Sequence, residues 1–245
     1  MDIALGIEIQ DLSLCLREDK ILIISDTHIG YEEALNKEGI LIPRFQFSEI
    51  TFRLSKIIKN KRYDKIVING DIKHEFGTIS EQEWRHTLRL LDYLNRHCKE
   101  IILIKGNHDT ILGPLAKKRN LKVIDYLILK DILVIHGDRL DEPVMDLIKG
   151  NKIKKIIIGH EHPAVTLREG SRIEKYKCFL KGNWKGKTLI VQPSFNLVTE
   201  GSDVLKEELL SPFLKGDLSN FEVYIVSDKI YEFGKLHNLF VNLGQ

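Results

Sequence analysis

Five short apolar runs limit what this chain can fold into more than any other feature of its 245 residues. They are Ile21-Leu22-Ile23-Ile24, Ile66-Val67-Ile68, Ile101-Ile102-Leu103-Ile104, Ile132-Leu133-Val134-Ile135 and Ile156-Ile157-Ile158. Each is too short for a helix and rich in β-branched residues, so each is predicted to be a strand buried on both faces. Each also ends on polar residues of a narrow kind. In order, the runs deliver Asp26-Thr27-His28, Gly70-Asp71, Gly106-Asn107-His108-Asp109, His136-Gly137 and Gly159-His160-Glu161-His162. Open α/β sheets bind ligands beyond the carboxyl ends of their strands, and Gly70 permits the sharp exit that would present Asp71 there.

Between these runs the apolar spacing turns helical. Phe47, Ile50, Leu54, Ile57 and Ile58 predict one amphipathic helix. Ser80-Glu81-Gln82-Glu83 has the form of a capping box, and Trp84, Leu88, Leu91 and Leu94 continue it as a second. Shorter helices are expected from Pro114 to Arg119, and from Pro143 to a stop at Gly150. The N-terminal segments Ile7–Gln10 and Leu12–Leu16 alternate like strands. In the last third, Leu189–Val191, Phe221–Val226 and Ile230–Phe233 follow one another as strands without long helices, with Ser227-Asp228-Lys229 as a hairpin turn. That pattern favours an α/β protein with a second, largely antiparallel sheet. Thr199 to Asn220, polar with one apolar patch from Leu209 to Leu214, is expected to be a long surface connection with room for a short helix. No boundary is evident, so residues 1–245 are taken as a single domain.

Composition enters mainly by exclusion. The formal net charge of +2 does not by itself argue for nucleic acid. Cys15, Cys98 and Cys178 are far apart, which gives no thiolate zinc site and fits a reducing compartment. No signal peptide and no apolar run long enough to span a bilayer is visible, so a soluble cytoplasmic protein without a membrane partner is expected.

The strand-end residues carry the chemistry. Collected at one sheet edge, Asp26, His28, Asp71, Asn107, His136, His160 and His162 mix imidazole with carboxylate, a set suited to manganese, iron or zinc. Seven donors are too many for one ion and suit two that share a bridge, for which Asp71 is the candidate. Two such ions can hold a hydroxide between them and clamp both oxygens of a displacement at phosphorus. Of the nine histidines, six (His28, His74, His108, His136, His160, His162) follow apolar runs. His86, His97 and His237 do not, and are taken as solvated or structural. Taken singly, each motif could be an ordinary strand-end turn.

Together, in this order, the five motifs resemble those of the calcineurin-like metallophosphoesterases, over about Ile21 to Pro163. Gly70-Asp71-Ile72-Lys73-His74-Glu75-Phe76-Gly77 and Gln192-Pro193-Ser194-Phe195-Asn196 are similar to the archaeal phosphoesterases related to SbcD. The resemblance implies a four-layer α/β/β/α sandwich of two packed mixed sheets flanked by helices. It implies two divalent ions, manganese first, with iron, zinc or nickel as alternatives. One would take Asp26, His28 and His162, the other Asn107, His136 and His160, with Asp71 shared. His108 would be catalytic, facing the substrate phosphate, and Asp109 would orient its imidazole. His74 is left between a substrate contact and a buried helper. Where the protein Ser/Thr phosphatases carry Asp-Arg-Gly, this chain has Lys73-His74-Glu75, which argues against that branch.

The expected activity is therefore hydrolysis of phosphodiesters, with a DNA repair-type nuclease as one version. Small nucleotide or pyrophosphate-linked substrates are the alternative, and a non-catalytic binding module or scaffold is the rival of another class. SbcD-type nucleases carry a DNA-capping region and bind an ATPase, for which the residues after His162 leave little room. Basic clusters around Lys59, Lys61 and Arg62, Lys117 to Arg119, and Lys152 to Lys155 are expected to be solvated unless aligned on one face. Lys181, Lys185 and Lys187 around Trp184 weakly resemble a stacking platform. No protein partner is indicated.

Overall fold

Buried β-branched runs pair with one another because their backbone groups have no water to bond. In this computed structural model, which describes residues 1–59, 61–77, 79–110 and 112–242 (backbone only at 169 and 240–242), all five runs are strands. The chain forms two compact units. The first comprises residues 1–125 and 195–199, and the second residues 126–194 and 200–245.

The first unit is built on a seven-stranded sheet with strand order following the sequence. Its strands are β1 (Asp2–Ala4), β2 (Ile7–Gln10), β3 (Ser13–Leu16), β4 (Ile21–Ile24), β5 (Tyr63–Asn69), β6 (Cys98–Ile104) and β7 (Lys122–Ile124). The first four are antiparallel neighbours, and β4 to β7 run parallel. Parallel neighbours need crossovers. Helices α1 (Tyr31–Lys37) and α2 (Gln46–Ile58) lie between β4 and β5, α3 (Glu81–Asn95) between β5 and β6, and α4 (Gly113–Arg119) between β6 and β7. The expected apolar stripes face inward. Ile50 and Leu54 of α2 and Leu91 and Leu94 of α3 are essentially inaccessible, each stabilising the fold by roughly 1.5–3 kcal/mol. The capping box is only half made. Ser80 Oγ accepts the Glu83 N–H at 3.1 Å, but the Glu83 carboxylate is used elsewhere, as described below.

The second unit carries β8 (Tyr126–Leu129), β9 (Ile132–Ile135), α5 (Glu142–Lys149), β10 (Lys155–Ile158), β11 (Pro163–Glu169), β12 (Arg172–Trp184) and β13 (Lys187–Val191). After these come β14 (Ser202–Asp203), a 3-10 turn at Pro212–Leu214, β15 (Glu222–Val226), β16 (Ile230–Lys235) and α6 (Leu236–Asn242). Its sheet is largely antiparallel, as expected, with a smaller parallel part. β10 lies between β9 and β13 in parallel, and β11 pairs β14 in parallel. The antiparallel part centres on β12, whose 13 residues pair β11 with their first half, and β13 and β15 with their second. Sequence patterning misses β12 because Arg172–Lys177 is polar. The hairpin turn at Ser227–Lys229 is where expected, closed by a 3.0 Å backbone bond. Both sheets are mixed and carry helices, the α/β class expected. Among the described residues no helix is long and apolar enough to cross a membrane.

Candidate metal-binding residues

The strand-end residues sit on an unusual backbone. Among the described residues ten non-glycine positions have positive φ, and five of these are Asp26 (54°), His28 (42°), Asp71 (46°), His160 (63°) and His162 (52°). Left-handed backbone is costly for residues with a Cβ and persists where surrounding structure over-determines it. The other five occupy hairpin and loop turns or the end of α4, as at Lys20 and Asn120. Strained backbone at the first unit's ligand-type residues is held by the loops after β4 and β5. Asp26 N–H donates to Gly70 O, His28 N–H to Asp71 O and Ile29 N–H to Ile72 O, at 3.2, 2.9 and 3.0 Å.

In the first unit this brings together Asp26, His28, His74, His108 and Asp71. Asp26 and Asp71 are 0% and 1% exposed. His28 Nε2 lies 3.7 Å from Asp71 Oδ2, too far for a hydrogen bond. That spacing is compatible with two donors each about 2.1 Å from a common cation. His28, His74 and His108 place ring nitrogens within 4.8 Å of one another. Gly106 ends the lead-in from β6 and admits no side chain, since a Cβ there would lie 2.1 Å from Asp71 Oδ1. Its absence lets the next turn close over Asp71, whose Oδ1 accepts the His108 N–H at 2.9 Å. Asn107, between them, is half-buried. Asp109 accepts the Gly106 N–H at 3.0 Å, and the His108 ring is bonded through Nδ1 to the His74 carbonyl. The outer face of the His108 ring meets Phe76, which is 57% exposed. Burial, with His108 adding to it, pushes the His74 imidazole down to about 4, so it is neutral near pH 7. Its ring stacks on Tyr31 at 4.1 Å.

The second unit presents His136, His160 and His162. His136 is fully buried, and its ring meets that of His160 edge-on at 5.1 Å. Glu161 between the two histidines turns away, accepting the N–H groups of Leu210 and Ser211 at 2.8 Å each. Ser211 Oγ in turn donates to Gly137 O at 2.7 Å. The stretch from Thr199 to Asn220 is thus not merely a surface connection. Ser211 and Phe213 are buried, and the segment braces both histidine loops.

The donor set fits divalent ions: buried carboxylates beside imidazoles, on backbone held in place by other bonds. A family model described as calcineurin-like phosphoesterase matches residues 19–164. The chain belongs to the calcineurin-like phosphoesterase family. No curated protein matches the chain. Among solved structures it is similar to the nuclease MPE of Pseudomonas putida, at 20% identity over 92% of this chain and 93% of that one, with a TM-score of 0.63. It also matches an archaeal phosphodiesterase, at 14% identity over 87% and 98% of the two chains, TM-score 0.42. A protein of unknown function from Aquifex aeolicus matches at 25% identity over 58% and 78%, TM-score 0.41. At this identity the first likeness shows the fold, which covers nearly all of both chains.

Several residues around this family's motifs escape sequence reasoning. Lys73 is fully buried, and its ammonium donates to the carbonyls of His108, at 2.6 Å, and Glu75. Glu83 reaches from α3 to accept the N–H groups of His74 and Glu75 at 2.8 and 2.9 Å. Burial raises its carboxyl, while these two bonds and the Lys73 charge oppose the rise. Gln46 opens α2 with its side-chain amide 2.8 Å from His28 O and 3.1 Å from Asn196 Oδ1. Only the capping-box form at Ser80–Glu83 gave any signal. A buried ammonium holding two carbonyls makes charge-assisted bonds, each worth about 1.5–3 kcal/mol. Lys73→Met is therefore expected to lower unfolding free energy by about 2–4 kcal/mol and to loosen the His108 turn. Urea denaturation of the metal-free protein measures it. A change under about 0.5 kcal/mol, the size of ordinary surface substitutions, would show that these bonds do not matter.

The basic clusters divide. Arg119 is held by Asp92 at 2.5 Å and Lys181 by Glu222 at 2.5 Å, while Trp184 packs against Phe213 at 4.9 Å. The stacking platform around Trp184 is therefore part of the packed second unit. Lys59, Lys61 and Arg62 are exposed.

Proposed function

We propose that this protein is a metal-dependent phosphodiesterase holding two divalent ions, manganese first. Its ligands are Asp26, His28 and His162 for one ion, Asn107, His136 and His160 for the other, with Asp71 shared. The observation that carries the reading is the left-handed backbone at five of these seven residues, in the motif order of the family. When bound, the ions supply the nucleophile and neutralise charge at phosphorus. The chain's own residues do the rest. Asp71 anchors the His108 turn through its Oδ1. The His74 carbonyl fixes the His108 ring through Nδ1, so that Nε2 is the nitrogen left to act on substrate. Asp109 closes the turn through Gly106. His74 then serves as a helper through its backbone, its half-buried ring packed on Tyr31. Placement beside the SbcD-related phosphoesterases is supported by Gly70–Gly77 and Gln192–Asn196, and a cytoplasmic location by three free cysteines.

Diesters are the proposed substrate class. A monoester dianion gains most from an extra cation on its non-bridging oxygens, whereas a diester needs more help for its leaving group. The buried Lys73 spends its charge on backbone carbonyls, and His74 is neutral. With manganese at one pH, bis-nitrophenyl phosphate is expected to be hydrolysed at least tenfold faster than nitrophenyl phosphate, and chelation to stop both. Faster monoester cleavage would overturn the diester reading. Activity surviving chelation would overturn the metal reading.

A further inference from the structure

The parallel strands of the first unit have a second end. Asp26, Asp71 and Asn107 follow the carboxyl ends of β4, β5 and β6. The amino ends of the same strands lie about 20 Å away, since β5 has seven residues at about 3.3 Å each. There the surface opens into a cavity of about 830 Å³, with Lys20, Lys59, Lys61, Arg62, Arg96 and Lys99 in its lining. Six cations face one lining carboxylate, Asp64, and Lys99 occupies that carboxylate at 2.8 Å. Lys20, Lys59, Lys61, Arg62 and Arg96 make no ion pair among the described residues. For a chain of net charge +2 this is a strong local excess. These five come from three separate turns, before β4, between α2 and β5, and between α3 and β6, so folding aligns on one face what the sequence scatters.

The groove continues. A second cavity, of about 470 Å³, shares Tyr93 and Arg96 with the first and adds Phe47, Phe52 and Arg89 between α2 and α3. Phe52 is 53% exposed, Lys56 lies 4.1 Å from its ring, and Arg89 lies 4.7 Å from the ring of Phe47. The one carboxylate in this stretch, Asp92, is held by Arg119. A cationic trough leading to an exposed aromatic ring, Phe52, matches a ligand with a repeating anion and flat apolar faces. Single-stranded nucleic acid has both, because its phosphates seek cations and its unpaired bases can stack. A duplex hides its bases and would use the cations alone.

We propose that this groove, whose cationic end is remote from the reacting centre, binds single-stranded nucleic acid and holds a long substrate on the protein. The holding role rests on the phosphodiesterase reading above; the binding does not. The probe is a fluorescein-labelled 20-nucleotide oligothymidylate with phosphorothioate linkages, which resist cleavage. Its affinity for the manganese-loaded full chain is read by anisotropy between 50 and 200 mM salt. Lys61→Glu combined with Arg62→Glu, both exposed positions, is expected to weaken binding at least tenfold. It should also flatten the slope of log K against log salt by about 1.4, at roughly 0.7 for each lost contact. Hydrolysis of bis-nitrophenyl phosphate should be unchanged, since that substrate is too small to reach the groove. Equal affinity and slope in the variant, or no binding by the parent at 50 mM salt, would overturn the proposal. Equally tight binding of a duplex would overturn the single-strand assignment. Should neither protein cleave the small diester while the binding difference persists, the catalytic reading fails and the groove stands.

Discussion

Asp71→Asn is expected to take the protein from two bound ions to fewer than one per chain, and turnover down by about 10³-fold or more. The substitution is close to isosteric, and asparagine tolerates the left-handed backbone that Asp71 adopts at φ 46°. Oδ1 can still accept the His108 N–H, so the turn survives. What is lost is the charge of a carboxylate that is 1% exposed and shared by both proposed ions. Several kcal/mol of electrostatic stabilisation disappear, at about 1.4 kcal/mol for each factor of ten. Metal content after dialysis, measured beside turnover on a diester, tests this. His28→Ala is the control, because it removes a ligand of one ion and should leave the other. Two ions retained by Asp71→Asn at the parent's affinity would end the shared-ligand assignment.

His108→Ala should show the opposite division: both ions and the fold kept, and turnover down by roughly 10²–10⁴-fold, the usual worth of a positioned proton donor. The ring is pinned through Nδ1 to the His74 carbonyl and lies over Phe76 at 3.8 Å, with Nε2 3.9 Å from Asp71 Oδ2. A histidine held this way is placed to give a proton to a departing oxygen. The loss should be larger for a poor alkoxide leaving group than for nitrophenolate, which departs without a proton. Equal losses for the two would replace the acid role with simple binding of the phosphate. Loss of an ion would make His108 a ligand, a role that the approach of its ring nitrogens to those of His28 and His74 makes worth testing.

Much of this architecture is legible in the amino-acid sequence. Ile21–Ile24, Ile101–Ile104 and their counterparts are strands because short β-branched runs have no other stable way to bury themselves. The polar residues that follow them lie at the carboxyl ends of the strands, and the family match spans residues 19–164. Other elements are hidden for a physical reason. The first half of β12 is half-exposed and polar, and β14 is two residues long, so neither carries a periodic signal. α1 buries only Glu32 among its side chains and offers no apolar stripe.

The chain's own pattern therefore determined the five buried strands, the two main helices and the chemical kind of the residues at the strand ends, because burial and spacing are local properties. Tertiary structure alone decided what holds those residues in position. Lys73 reads as an ordinary surface lysine in sequence and is a buried clamp in the fold. Glu83 has the form of a helix cap and serves instead the backbone of a loop eight and nine residues before it. Glu161 and Ser211 are 50 residues apart and brace one another's loops. The same holds for Lys20, Lys61 and Arg96, which converge on one cavity only when β4, β5 and β6 lie side by side. Hydrogen bonds and charge clusters of this kind depend on positions in space, and spacing along a chain carries no record of them.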